Sequence, residues 1–168
     1  MLARKSWASS AAVRRSMMSN RRTDTRPERV LRSALHRTGL RFRKDYPIRL
    51  PKGGVIRVDI VFTKTRLAIF VDGCFWHCCP DHGRVPFTNN HYWEPKLQRN
   101  VERSGEVDEA LASLGWQVIR IWEHEELLPA LQSIHTAVGA PTISSLVDEY
   151  RGAFLAPRLA RRRPLQGK

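Results

Sequence analysis

Twelve consecutive residues, Val71-Asp72-Gly73-Cys74-Phe75-Trp76-His77-Cys78-Cys79-Pro80-Asp81-His82, hold all three cysteines, two of the six histidines, two adjacent aromatics and two carboxylates. A hydrophobic core needs none of that density. Cys74, Cys79 and His82 are three soft donors at short spacing, and Pro80 can bend the chain so that Cys79 and His82 converge. Structural zinc takes four such N/S donors in a closed tetrahedron. The fourth must come from elsewhere, and His124 is the best candidate. If the strands before Cys74 and before His124 are neighbours, their C-terminal ends bring the two together. Cys78 could replace Cys79, but adjacent side chains point apart. Three cysteines within six residues cannot pair sensibly as disulfides, which points to a reducing compartment and a metal role.

A second set of residues suits hydrolytic chemistry. Asp59 interrupts the otherwise apolar run Val58-Asp59-Ile60-Val61, and a carboxylate there is costly unless a charge offsets it. Either Arg57, two residues earlier, pairs with it, or it binds a hard cation. Asp72 adds oxygen donors nearby and the Val71 carbonyl can serve as an extra ligand. His77 adds a base that titrates near neutral pH. A carboxylate-held Mg²⁺ beside a histidine is a means of activating water against a phosphodiester. Glu28 either serves this site or completes a capping box with Thr25. Phe75 and Trp76 would be core in most proteins, whereas on a polar, metal-pinned loop they suit wedging between bases.

These groups must be positioned by a small α/β domain. Thr25, Pro27 and Glu28 mark a helix start, with Val30, Leu31, Ala34 and Leu35 as its stripe and Gly39 as its end. A loop rich in Pro and Gly follows (Pro47, Pro51, Gly53, Gly54), then strands over Val55–Phe62 and Leu67–Val71. Asn90 to Leu114 reads as a long helix, Trp116–Trp122 as a third strand, and Glu123 to Val138 as a closing helix broken near Pro129. The order α-β-β-α-β-α predicts a mixed sheet flanked by helices on both faces. The expected division is an arm over 1–22, a domain over 23–140, and a C-terminal extension over 141–168 with a short helix at Ser144–Phe154.

Charge is distributed unevenly. The 168-residue chain carries 29 Lys/Arg against 16 Asp/Glu, a net charge of +13. Six of those basic residues lie in 1–22 and five in 156–168, both free of acid, leaving 18 against 16 between them. A nearly neutral domain with two cationic arms suits nucleic acid, bound through phosphate neutralisation and counterion release; solubility is the plainer reading of such arms. No apolar stretch approaches the ~20 residues of a membrane helix. The N-terminus lacks a secretory apolar segment, although its Arg- and Ser-rich composition is compatible with an organellar transit peptide.

Taken together, Asp59, the Val71-Asp72-Gly73-Cys74-Phe75-Trp76-His77 run, Tyr92-Trp93 with Asn100-Val101-Glu102-Arg103, and Leu114-Gly115-Trp116 with Trp122-Glu123 resemble the very short patch repair (Vsr) DNA mismatch endonucleases. The likeness spans residues 16–126. It implies a restriction-endonuclease-like α/β fold, structural zinc, and Mg²⁺-dependent nicking of one strand beside a T·G mismatch left by 5-methylcytosine deamination. It assigns Mg²⁺ to Asp59 and the Val71 carbonyl, the general base to His77, and zinc to Cys74, Cys79, His82 and His124. Phe75, Trp76 and Trp93 would wedge into one side of the mismatch, and the arm with Met17 and Met18 would enter the opposite groove. Implied partners are duplex DNA with a T·G mismatch, mismatch-repair proteins and a repair polymerase. A DNA-associated, cytoplasmic bacterial monomer is the expectation. Two positions depart from the pattern: Ser104 stands where an acidic residue is common, and Ile56-Arg57-Val58 where a proline-containing turn is usual.

Overall fold

The computed structural model describes residues 23–87, 89–141 and 143. Helix α1 (Arg26–Arg37) starts where the capping signal places it: Thr25 and Glu28 form a reciprocal capping box. Each satisfies a backbone N–H that the first helical turn leaves without a partner. The α1 stripe Leu31, Ala34 and Leu35 is buried.

Among the described residues four strands form one sheet in the order β1-β2-β3-β4. They are β1 (Arg43–Arg49), β2 (Val55–Phe62), β3 (Leu67–Asp72) and β4 (Gln117–Trp122). The first is a correction, because the segment around Pro47 was expected to be loop. It pairs antiparallel with β2 from Arg43↔Val61 to Arg49↔Val55. As the sheet's edge strand it tolerates Pro47, which donates no ladder hydrogen bond, and its charged side chains discourage pairing with other chains. Strands β2 and β3 are antiparallel, whereas β3 and β4 are parallel. That parallel pair is joined by the crossover helix α2 (Asn90–Ser113).

Helix α3 (Leu127–Ala137) closes the domain. It begins four residues later than expected, because Glu125 accepts the Trp122 N–H and holds a turn there. Pro129 does not break it. It sits in the first turn, where its missing N–H would have had no partner anyway.

The sheet buries both faces. Leu31, Leu35, Ile60, Phe62, Leu67, Ile69, Ile121, Leu131 and Ile134 form one cluster, against α1 and α3. Val58, Val61, Ala68 and Leu111 form the other, with Ile48 and Ile56, against α2. Among the described residues no helix is long and apolar enough to cross a membrane. Met17, Met18, the segment 1–22 and the Ser144–Phe154 helix lie outside the described residues.

Candidate active site and metal centre

Strand β2 pairs with β3 only over Ile60–Phe62, although it runs with β1 as far as Val55. Asp59 therefore stands at the fork where β2 and β3 part. Its Oδ2 accepts the Val71 N–H at 2.9 Å, taking the place of the ladder carbonyl that β2 no longer offers. Burial pushes its pKa up to about 6, and Glu28, Asp72 and Asp45 add to the rise, while the Val71 hydrogen bond opposes it. Of the two alternatives for Asp59, the Arg57 pairing does not form. Arg57 turns to Asp45 on β1, at 2.9 Å from Oδ2. A carboxylate raised by burial and by negative neighbours, next to a strand-end carbonyl, is an all-oxygen environment of the kind a hard divalent cation takes.

Asp59 shares a cavity of about 1040 Å³ with Glu28, Val71, Asp72, Trp76, His77, Asn100 and Ser104. Glu28 is 4 % exposed and spends its oxygens on the capping box and on Arg32, 3.2 Å away. Asp72 is likewise committed. Arg120 Nη1 donates to both its oxygens at 3.0 and 2.9 Å, and its Oδ1 faces His77 Nε2 at 3.7 Å. Arg120 also donates from Nε and Nη2 to Asp108 and from Nη2 to the Ser104 carbonyl, and it stacks on Phe70 at 4.6 Å. Asp72 thus has its counter-ion in hand, which makes it a support for the histidine rather than a free oxygen donor. Burial lowers the His77 pKa, with Arg120 adding to the drop and Asp72 opposing it. Sequence reasoning missed Arg120 and Asp108. Nothing in the periodicity of α2 or β4 marks two residues twelve apart as an ion pair.

The C-terminal ends of β3 and β4 build the second site. Asp72 pairs with Trp122 in the parallel register, so Cys74 and His124, each two residues on, emerge side by side. Cys74 Sγ lies 3.1 Å from His124 Nδ1. Cys79 Sγ lies 3.6 Å from the same nitrogen and 3.9 Å from His82 Nδ1. All four ligand atoms fall within 4.8 Å of one another. Zn–S and Zn–N bonds of about 2.3 and 2.1 Å imply tetrahedron edges of roughly 3.3–3.8 Å. The donors thus already stand near zinc-binding separation. Burial pushes the Cys74 thiol up to about 12, with Glu123 and Cys79 adding to it. Asp81 Oδ2 faces the other ring nitrogen of His124 at 3.6 Å, the orientation by which a carboxylate steers a metal-binding histidine.

The loop reaches this geometry through two backbone features. Cys78 adopts φ +51°, which turns the chain between Cys74 and Cys79. Gly83 N–H bonds back to the Cys79 carbonyl so closely that a Cβ on residue 83 would sit 2.6 Å from that oxygen. At the loop's start, Glu123 Oε1 accepts the Cys74 N–H at 2.8 Å.

Between the two sites lies an aromatic cluster. Phe75 packs edge-on against Trp76 and Trp93 at centroid distances of 5.0 and 5.4 Å. Lys96 Nζ stands 5.3–5.8 Å from the Tyr92, Trp93 and Trp76 rings. Trp93 is only 3 % exposed, while Phe75 and Trp76 are half-buried. In the free protein Trp93 is thus the base on which the other two rest. Asn100 Nδ2 donates to the Trp76 carbonyl at 3.1 Å and ties this loop to α2.

The sequence profile described as DNA mismatch endonuclease Vsr matches residues 9–81. A protein of Lentzea aerocolonigenes named type II nicking enzyme V.NaeI is 55 % identical over 120 residues, which cover 71 % of this chain and 72 % of that one. This chain belongs to the Vsr endonuclease family. A Xanthomonas oryzae protein named type II nicking enzyme V.XorIIP is 42 % identical over 65 % of this chain and 77 % of its own length. The Escherichia coli protein named DNA mismatch endonuclease Vsr is 38 % identical over 60 % of this chain and 62 % of its own. As a Vsr-family member, the chain is a DNA endonuclease.

Proposed function

We propose that this endonuclease is Mg²⁺-dependent and nicks one strand beside a T·G mismatch left by 5-methylcytosine deamination, on a restriction-endonuclease-like core stapled by one structural zinc. The observation that carries the reading is a single cavity holding Asp59 at the β2–β3 fork, His77, and Trp76 of the aromatic loop. Two relatives are named as nicking enzymes and one as a mismatch endonuclease, which supports single-strand cutting at a mispair.

Asp59 and the Val71 carbonyl would hold Mg²⁺, which supplies Lewis acidity toward a phosphodiester oxygen when bound. His77 takes the proton from the attacking water. Asp72, fixed by Arg120, stabilises the imidazolium that results. Glu28 lines the cavity and orders the start of α1. Phe75 and Trp76 enter the base stack from their support on Trp93, and unstacking costs a few kcal/mol that the mispair reduces. Residues 1–22, with Met17 and Met18, reach the opposite groove. Residues 23–140 form the catalytic domain, and 141–168 extend it with a second basic tail. Cys74, Cys79, His82 and His124 would hold zinc with no open position, as in a structural site. The chain would act as a cytoplasmic monomer, since one nick needs one active site, and hand its product to mismatch-repair proteins and a repair polymerase.

The test is a strand-resolved nicking assay with and without Mg²⁺, on duplexes with a central T·G pair or a matched C·G pair in several flanking contexts. Cutting confined to the T-bearing strand of the mispaired duplex, and only with Mg²⁺, is the expected result. Equal cutting of matched duplexes would replace the mismatch reading with that of a nicking enzyme of other specificity.

A further inference from the structure

Ser104 projects from the middle of α2 toward the catalytic loop, and its hydroxyl makes two contacts of defined polarity. Its Oγ lies 3.0 Å from the Asn100 carbonyl, four residues earlier, and 3.1 Å from His77 Nδ1. A carbonyl oxygen only accepts, and a serine hydroxyl has one proton to give. When that proton goes to Asn100, the Oγ lone pair faces Nδ1, so Nδ1 must carry the imidazole hydrogen. We propose that Ser104 is a positioning residue that fixes His77 as the Nδ1–H tautomer and leaves Nε2 as the free base in the cavity.

The opposite tautomer makes fewer bonds. Were Nδ1 bare, Ser104 would turn its proton to the ring and leave the Asn100 carbonyl. Nε2–H would then point at Asp72 Oδ1 across 3.7 Å, beyond hydrogen-bond range. That carboxylate is already claimed by Arg120 Nη1 at 2.9 and 3.0 Å. The Nδ1–H form keeps two full-length hydrogen bonds and the Nε2–H form keeps one. The ring is also held in place by its neighbour. Asn100 Nδ2 grips the Trp76 carbonyl at 3.1 Å, so one helical turn of α2 clasps two consecutive loop residues. Ser104 therefore supplies, with a neutral acceptor, the fixed tautomer that a histidine base needs from its partner.

This rests on the proposed role of His77 as the base, so the experiment reads the tautomer and the nicking separately. Full-length protein with ¹⁵N-labelled histidine is examined at a pH where the imidazole is neutral. The expected His77 signals are a protonated, pyrrole-like Nδ1 and a bare, pyridine-like Nε2, with the order lost or mixed in Ser104→Ala. Alanine is the best helix former, so that variant folds. Its nicking should fall ~10–100-fold through kcat with KM for DNA unchanged. Ser104→Asp, an acceptor toward Nδ1, should restore both the signals and the rate. A wild-type His77 with its proton on Nε2 would overturn the inference whatever the activity. So would a Ser104→Ala enzyme that nicks at the wild-type rate while His77→Ala does not. Failure of the base assignment itself appears differently, as undiminished nicking by His77→Ala.

Discussion

Asp59 Oδ2 and the Val71 N–H meet at 2.9 Å across the fork where β2 and β3 separate. The hydrogen bond lets one strand leave another without orphaning a backbone donor, and it aims a buried carboxylate at a strand-end carbonyl. The arrangement is costly without a cation, because burial and neighbouring carboxylates raise the Asp59 pKa to about 6 from an ordinary 3.8.

That shift has a definite sign. A carboxyl with a raised folded-state pKa binds more protons folded than unfolded, so between about pH 4 and pH 6 stability falls as pH rises. Asp59→Asn keeps an oxygen for Val71 and removes the charge. It should abolish nicking yet stabilise the Mg²⁺-free protein at pH 7 by about 1–3 kcal/mol, with no gain at pH 4. Urea titrations at the two pH values check this. An Asn variant that still nicks, or is less stable at pH 7, would remove Asp59 from the centre of the site.

Gly83 makes a sharper claim on the metal loop than any of its ligands. A Cβ there would stand 2.6 Å from the Cys79 carbonyl and 2.7 Å from the Cys79 nitrogen, and backbone atoms cannot swing aside as a flexible side chain can. Gly83→Ala keeps all four donors and opens the turn that sets Cys79. Elemental analysis after dialysis should find about one zinc per wild-type chain and much less in the alanine variant, with a Tm several degrees lower. Full zinc in the variant would show that the turn yields without disturbing the ligands.

Removing the metal should resemble losing a ligand. Cys74 Sγ and Cys79 Sγ lie 3.1 and 3.6 Å from His124 Nδ1, a set of donors that only the closed loop brings together. A strong chelator, or Cys79→Ser, should lower Tm by ten degrees or more, because metal affinity is folding free energy in small closed sites. Stoichiometric zinc should restore the chelated wild type but not the serine variant. A metal-free wild type that melts unchanged would make the cluster a packing feature.

How far the chain could be read before folding depends on whether the signal was local. The α1 start, β2, β3, α2 and β4 are announced by caps, alternation and length, and the meeting of Cys74 with His124 follows if β3 and β4 are neighbours. Strand β1 was hidden because Arg43-Lys44-Asp45-Tyr46-Pro47 has the composition of a loop, and only the edge position makes that composition tolerable. In-strand spacing offers Arg57 to Asp59 as one alternative beside a hard cation, whereas the partner Arg57 takes is the cross-strand Asp45. The Arg120 ion pairs with Asp72 and Asp108 and the contact of Ser104 with His77 join separate elements, so no local pattern encodes them.

The arms are tested by salt rather than by structure. Residues 1–22 carry six Lys/Arg and no acid. If they neutralise phosphates, each contact releases a counterion and adds ~0.9 to the slope of log K against log salt. Deleting 1–22 should therefore flatten that slope by up to about 5 and weaken binding to matched as well as mismatched duplex. Loss of Met17 and Met18 adds a distinct effect, since contacts in the groove opposite the aromatic wedge would favour the mispair alone. Met17→Ala/Met18→Ala should leave the salt slope unchanged and reduce the preference for T·G over C·G duplex by about 1–3 kcal/mol. Fluorescence anisotropy at several salt concentrations separates the two. An unchanged slope in the deletion would assign the basic arm to solubility, and an unchanged preference in the double variant would leave discrimination to Phe75 and Trp76.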